Sequence, residues 1–147
     1  MKIRKASIDD IQELATLFDA YRVFYEKTSD VEQAIIFLSE RIQKNESVIF
    51  VAENEEKQLT GFVQLYPLFS STRMKRYWLL NDLFVAPEQR SKGISVALID
   101  AAKELCQTTE SCGMMLETAK SNVIGNNLYP KTGFVLDTAH HYYTWEN

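Results

Sequence analysis

Two periods alternate along this chain, one near 3.6 residues and one of two, and the switches between them divide it into elements. Residues 2–6 read as a short strand. Ser7 with Asp10 three residues on forms a variant capping box, which opens a helix carrying Ile11, Leu14, Ala15, Phe18, Tyr21 and Tyr25 on one stripe. A second box, Ser29 with Glu32, opens another, striped by Val31, Ala34, Ile35, Leu38 and Ile42. The continuous apolar run Val48 to Ala52 predicts a buried strand, Glu53 to Gln58 a turn, and Leu59 to Leu65 the returning strand. A third long strand spans about Tyr77 to Val85 and stops before Pro87. Ile94, Ala97, Leu98, Ala101, Ala102 and Leu105 define an amphipathic helix. "GMMLETA" reads as a strand, "NVIGNNLYPK" as a short helix, and "FVLD" with "HHYYTWE" as a closing pair of strands.

The predicted order is therefore β-α-α-β-β-β-α-β-α-β-β. Strand, helix and strand around Gly93 require a parallel crossover. The strands before it are joined by short turns and pair antiparallel. The expected fold is α/β in the α+β sense: a mixed, mostly antiparallel sheet with a central parallel pair and helices on both faces. At 147 residues, with no linker, repeat or low-complexity stretch, the chain is expected to be one domain over 1–147.

A formal net charge of −4 argues against general nucleic-acid binding and is compatible with a cationic substrate. There is no apolar leader in "MKIRKASIDD" and no 18-residue apolar run, so neither a membrane partner nor a secretory route is expected, and a cytoplasmic location is. Cys106 and Cys112 have no histidine near them in sequence and read as reduced thiols. His140 and His141, adjacent in a predicted strand, would point to opposite faces, so no metal site is expected.

One place draws attention on chemical grounds. "PEQRSKGISVALI" puts Gly93, one of five glycines, at the mouth of a helix, just after Arg90 and Lys92. Either Gly93 ends a loop, or the free N–H groups of a helix start and two cations receive an anion.

"LLNDLFVAPEQRSKGISVALI" resembles the acetyl-CoA signature of the GNAT superfamily of N-acetyltransferases: a strand, then Arg/Gln-x-x-Gly-x-Gly/Ala, then a helix. Here the turn reads Arg90-Ser91-Lys92-Gly93-Ile94-Ser95. "NVIGNNLYPKTGF" resembles a second family segment through Asn122, Gly125, Tyr129, Gly133 and Phe134, and the element order matches over the whole chain. "LNDLFV" and "YRVFY" look most like the small polyamine, histone and amino-acid acetyltransferases. Departures are Ser95 for a second Gly or Ala, Ser91 for a common Gly, Asn81 where relatives often carry a glutamate, and Pro130 directly after Tyr129.

The resemblance implies acetyl transfer from acetyl-CoA to a primary amine of a small molecule or peptide, by direct attack in a ternary complex. It implies that the backbone at Leu83, Phe84 and Val85 pairs with the pantetheine, that Arg90 to Ser95 hold the pyrophosphate, and that Asn122 touches the pantetheine or its thiol end. Tyr129 would protonate the leaving thiolate, and Asp82 or Glu117 would accept the amine's proton, directly or through water. The alternative is a non-catalytic module that holds CoA as a sensor or scaffold. A cationic acceptor is expected from Asp9, Asp10, Glu26, Asp30 and Glu32 around the first two helices. A homodimer is expected from the aromatic closing strands.

Overall fold

A computed structural model describes all residues, 1–147. It contains β1 (Lys2–Lys5), a 3₁₀ turn (Ile8–Asp10), α1 (Ile11–Phe24), α2 (Val31–Gln43), β2 (Val48–Glu53), β3 (Leu59–Ser70) and β4 (Lys75–Val85). A second 3₁₀ turn (Pro87–Gln89), α3 (Ile94–Thr108), β5 (Met114–Met115) and α4 (Val123–Lys131) follow. The chain divides into two compact units, Met1–Leu116 and Glu117–Asn147.

In the first unit the strands form one sheet in the order β1-β2-β3-β4-β5. The first three pairings are antiparallel and β4–β5 is parallel, as the crossover through α3 requires. The apolar stripes of α1 and α2 cover one face. Leu14, Ala15, Phe18, Ala34 and Leu38 cluster there with Ile49, Val51, Phe62 and Phe84 of the strands. α3 covers the other face with Ile94, Leu98, Ile99 and Ala102, all buried. A Cβ on Gly61 would lie 3.4 Å from Ile94 Cγ2, so alternate β3 residues face α3. Each fully buried Leu, Ile or Phe contributes about 1.5–3 kcal/mol. No helix is long and apolar enough to cross a membrane.

Two helix starts differ in detail from the sequence expectation. Asp10 Oδ2 does accept from Ser7 N–H at 2.8 Å, but the box opens the 3₁₀ turn before α1. At α2 the cap is Asp30, whose Oδ1 accepts from Gln33 N–H at 3.0 Å. Ser29 instead donates to the buried Asp19 Oδ2 at 2.7 Å, and Asp30 N–H to Asp19 Oδ1 at 2.7 Å. These two donors hold the Asp19 carboxyl below the usual carboxylate range.

The larger corrections lie near the carboxyl end. The strand expected over "GMMLETA" is only Met114–Met115. The closing strands "FVLD" and "HHYYTWE" are not strands at all; α4 is the last regular element. Asp137 Oδ1 accepts from the N–H groups of Ala139 and His140 at 2.9 and 3.2 Å, so the turn between the two segments does form. A two-stranded hairpin without a third strand or a covering helix is marginal in water, which is why the turn stands without its strands.

Candidate active site

β4 carries one residue more than β3 where the two pair. Gln64 stands opposite Asp82, while the next residue, Leu65, stands opposite Leu80, so Asn81 is the extra residue of a bulge. Partners across a ladder share a face. Asp82 therefore lies with Gln64 on the α1/α2 side, and Leu80 with Leu65 on the α3 side. Trp78, two residues before Leu80, donates from Nε1 to Thr109 Oγ1 just past the end of α3, at 2.9 Å.

Asp82 is only 5% exposed, and none of the ion pairs in the structure includes it. Gln64, fully buried, donates from Nε2 to Asp82 Oδ2 at 2.8 Å and accepts the Ser47 hydroxyl at 2.8 Å on its other end. Asn81 Nδ2 donates to Asp82 Oδ1 at 3.1 Å, and the Tyr21 hydroxyl from α1 donates to the same carboxylate. Burial outweighs these three donors and pushes the Asp82 carboxyl above its ordinary value. Tyr21 packs edge-on against Phe62 and Phe84, at 5.9 and 6.2 Å between ring centres, and walls this region with aromatics. On the same side of β3, Tyr66 is pushed up to about 12, chiefly by burial and secondarily by the Asp82 charge.

The turn before α3 has an unusual backbone. Ser91 and Gly93 are both left-handed, with φ of 63° and 78°. Glycine adopts this conformation freely, whereas Ser91 is held in it at a cost of about 1–2 kcal/mol. The first intrahelical bond of α3 runs from Ala97 N–H to Gly93 O at 3.0 Å, so the N–H groups of Ile94, Ser95 and Val96 lead out of the helix end. A Cβ built on Gly93 meets nothing within 4 Å. The glycine is thus required by its φ and opens onto free space, rather than being squeezed by the protein.

Both cations have partners within the chain. Arg90 Nε donates to Val85 O at 3.1 Å, and its guanidinium lies 5.6 Å from the Phe24 ring centre and 5.7 Å from that of Phe84. Lys92 Nζ donates to Gln89 Oε1 at 2.9 Å. Leu83, Phe84 and Val85 fall in the half of β4 that β5 does not reach. Only Trp78 and Leu79 pair with β5, so from Leu80 onward the ladder is with β3 alone.

The remaining candidates lie in the second unit. Glu117 is exposed and belongs to no strand, contrary to its expected place beside β4. Asn122 caps α4: its Oδ1 accepts from Gly125 N–H at 3.1 Å, and its Nδ2 donates to Thr118 Oγ1 at 2.9 Å. A Cβ at Gly125 would lie 2.6 Å from Asn122 Nδ2 and 3.2 Å from Tyr129 Cε2, so this glycine lets the cap and the ring pass each other. Tyr129 is half-buried, edge-on to Phe134 at 5.8 Å. α4 begins at Val123, so Pro130 is inside the helix, one residue from its end. The Thr132 hydroxyl, donating to Leu128 O at 3.1 Å or Tyr129 O at 3.0 Å, and Phe134 N–H, donating to Tyr129 O at 3.0 Å, close the last turn.

The acidic residues around the first helices are partly committed elsewhere. Asp10 is paired with Arg4 at 2.7 Å, and Asp30 caps α2. A cleft of about 280 Å³ between α1 and α2 is lined by Phe18, Arg22, Gln33, Ala34 and Phe37, which include a cation and no carboxylate.

The family model described as "Acetyltransferase (GNAT) family" matches residues 11–134. This chain belongs to the GNAT acetyltransferases. It is 42% identical over 143 residues to the "Uncharacterized N-acetyltransferase YhfO" of Bacillus subtilis (strain 168), covering 97% of this chain and 95% of that one. It is 38% identical over 121 residues to a "Probable acetyltransferase" of Haemophilus influenzae, covering 82% and 83%. A crystal structure of a probable acetyltransferase superposes with a TM-score of 0.96 at 37% identity, over 100% of this chain and 98% of that one. Over a shorter stretch, 41% of this chain and 35% of the relative, it is 37% identical to streptothricin acetyltransferase A of Bacillus subtilis (strain 168).

This GNAT protein is therefore an N-acetyltransferase, and its family implies acetyl-CoA as co-substrate. The residues present fit that molecule. A left-handed turn with free space over Gly93 and outward N–H groups suits a pyrophosphate, and the half of β4 beyond β5 suits an extended amide chain. No cluster of His, Cys, Asp or Glu has the makings of a metal site. Gln64, Ser47, Tyr21 and Tyr66 escape the sequence reading. Gln64 had a signal, as the one polar residue in the apolar run "GFVQLYPL"; the bulge at Asn81 had none.

Gly93→Val tests the turn. A β-branched residue at φ 78° should destabilise the fold by about 1–2 kcal/mol, and two methyls over the turn should weaken acetyl-CoA binding by about tenfold or more. Calorimetry on the folded variant measures both effects. Unchanged affinity would remove the pyrophosphate from this turn.

Proposed function

We propose that this acetyltransferase transfers the acetyl group of acetyl-CoA to a primary amine of a small molecule or peptide, by direct attack in a ternary complex. The reading is carried by Asp82, a buried carboxylate without a counter-cation, lifted above its ordinary value and set in the half of β4 that continues past β5. An alkylammonium titrates near 10.4 and must lose a proton before it can attack. A carboxylate raised by burial is a better base than a free one. Asp82 takes this proton, directly or through water, and Gln64, Asn81 and Tyr21 hold its two oxygens in place. The turn from Arg90 to Ser95 holds the pyrophosphate through the N–H groups of Ile94 and Ser95, after Arg90 and Lys92 turn from their present partners. Acetyl-CoA supplies the activated acetyl thioester. Tyr129 Oη holds the proton destined for the departing sulfur. Asn122, with both ends of its amide engaged, keeps α4 and hence Tyr129 in position. Glu117, exposed and off the sheet, is left out of the base role.

The test is release of free thiol from acetyl-CoA across polyamines, amino acids, aminoglycosides, lysine peptides and streptothricin. Saturable turnover with one amine class is expected. Acetyl-CoA binding without turnover on any amine would overturn the reading in favour of a CoA-holding module.

A further inference from the structure

Asp82 and Arg41 carry opposite charges, act on one side chain and do not pair with each other. Both bear on the Tyr66 hydroxyl, which the Asp82 charge raises and the Arg41 charge lowers. Tyr66 follows Gln64 by two residues on β3, so it lies on the same side of the sheet, about 7 Å further along the strand. The Asp82 carboxylate receives Gln64, Asn81 and Tyr21, all uncharged. Arg41, in the last turn of α2, reaches Glu40 Oε2 at 3.2 Å and Glu46 Oε1 at 3.4 Å through Nη2. Both of those carboxylates are about half exposed, and pairs of that kind contribute little.

The rest of the Arg41 side chain is enclosed. It is 16% exposed, and the guanidinium lies 4.6 Å from the Phe37 ring centre. Its Nε is the one buried side-chain nitrogen or oxygen in the structure without a hydrogen-bond partner. A charged donor that is enclosed and unmatched is costly and calls for a reason. The Tyr66 hydroxyl makes no hydrogen bond either, and it is not enclosed, so it opens to solvent. One side of the sheet thus holds a carboxylate without a cation, a free phenol and a guanidinium with an unmatched N–H.

An amine alone would give Asp82 its cation and leave the other two groups as they are. A diamine would add a second positive charge on the side of Arg41. A carboxylate on the same molecule as the amine answers both. We infer that the acceptor is a zwitterionic amino acid, its amine at Asp82 and its carboxylate held by the Tyr66 hydroxyl and the Arg41 guanidinium. The inference rests on the acetyl transfer proposed above and names its substrate class. Arg41 reaches the carboxylate by swinging off the Phe37 ring. It exchanges two half-exposed glutamates for a charge-assisted fork, in which Nε–H gains an acceptor. Opposite ends of the substrate then meet opposite charges of the protein, and a diamine or a neutral amine meets only one of them.

Thiol release from acetyl-CoA tests this on glycine, β-alanine and γ-aminobutyrate, each against its carboxamide. The carboxamide keeps the amine and the length and removes the negative charge. For at least one length, kcat/KM should favour the amino acid by about tenfold or more, mainly through KM. Arg41→Gln should lower that ratio by about tenfold, and Arg41→Lys, which keeps the charge without the fork, should restore part of it. Tyr66→Phe should lower it by about threefold and stands as the second test if Arg41→Gln fails to fold. A residue that only steadies the fold would slow both substrates alike and leave the ratio where it was. Amino acids no better than their carboxamides, or a ratio indifferent to these substitutions, would overturn the inference. Turnover of the carboxamides or of putrescine would then leave acetyl transfer to amines standing, whereas no thiol release with any amine would overturn both readings.

Discussion

Asp82→Asn should lower kcat by about 10²- to 10⁴-fold, the usual worth of a general base, and leave acetyl-CoA affinity nearly unchanged. The substitution is close to isosteric. Gln64 can turn its amide over, accept from the new Asn Nδ2 and donate to Ser47, so the buried network stays satisfied. The pH profile separates a base from a packing residue. Because burial raises the Asp82 carboxyl, the acid limb of kcat/KM should lie above the ordinary carboxylate range in the wild type and vanish in the variant. Stability moves the other way. A carboxyl raised in the folded state binds its proton more tightly there than in the unfolded chain, so its contribution is complete below the unfolded pKa and is lost as pH rises through the folded one. The Asn variant lacks that loss, and thermal unfolding followed across this window should show the difference closing toward acid. A variant with near-full kcat and the same acid limb would make Asp82 structural.

Tyr129→Phe should cost about a hundredfold in kcat, the low end for a general acid, since a thiolate is a fairly good leaving group unaided. The ring keeps its edge contact with Phe134, and acetyl-CoA affinity should hold. A phenol titrates near 10, so the wild-type rate should fall at alkaline pH and the variant should lose that limb. Steady-state kinetics at saturating acceptor, repeated across pH, decide the matter. Full kcat with the alkaline limb intact would leave Tyr129 as packing, with the hydroxyl turned elsewhere by the Pro130 helix end.

The fold is legible in the sequence wherever a local cause suffices. Helix stripes and strand runs place α1 to α3 and β1 to β4, because each buries its apolar side against a neighbour that the chain itself supplies. Gly93 is legible for the same reason: a left-handed residue ahead of a periodic helix asks for glycine. The misses are all relational. Ser29 and Asp30 are equally good caps on paper, and only the buried Asp19 decides that one anchors the loop while the other opens the helix. The closing strands have the right period, but a strand is defined by its partner. Arg90 has partners in Val85 O and two aromatic rings, which nothing beside it in the sequence announces. Strict alternation would put Leu80 and Asp82 on one face, and nothing in "YWLLNDLFV" announces that they lie on opposite ones.

That last separation rests on which residues pair across the ladder. The Asn81 amide steadies the Asp82 carboxylate, but many side chains could replace it and the strand would still divide its two ends between the two faces. Substitutions accumulating along a lineage leave such a trait intact. Loss of the Asn81 codon also leaves it intact: Leu80 and Asp82 would become neighbours, still opposite Leu65 and Gln64 and still on opposite faces, and what would go is the Asn81 amide that donates to the Asp82 carboxylate. The facing of this carboxylate is carried by its partner across the ladder, and the inserted residue contributes a donor rather than a direction.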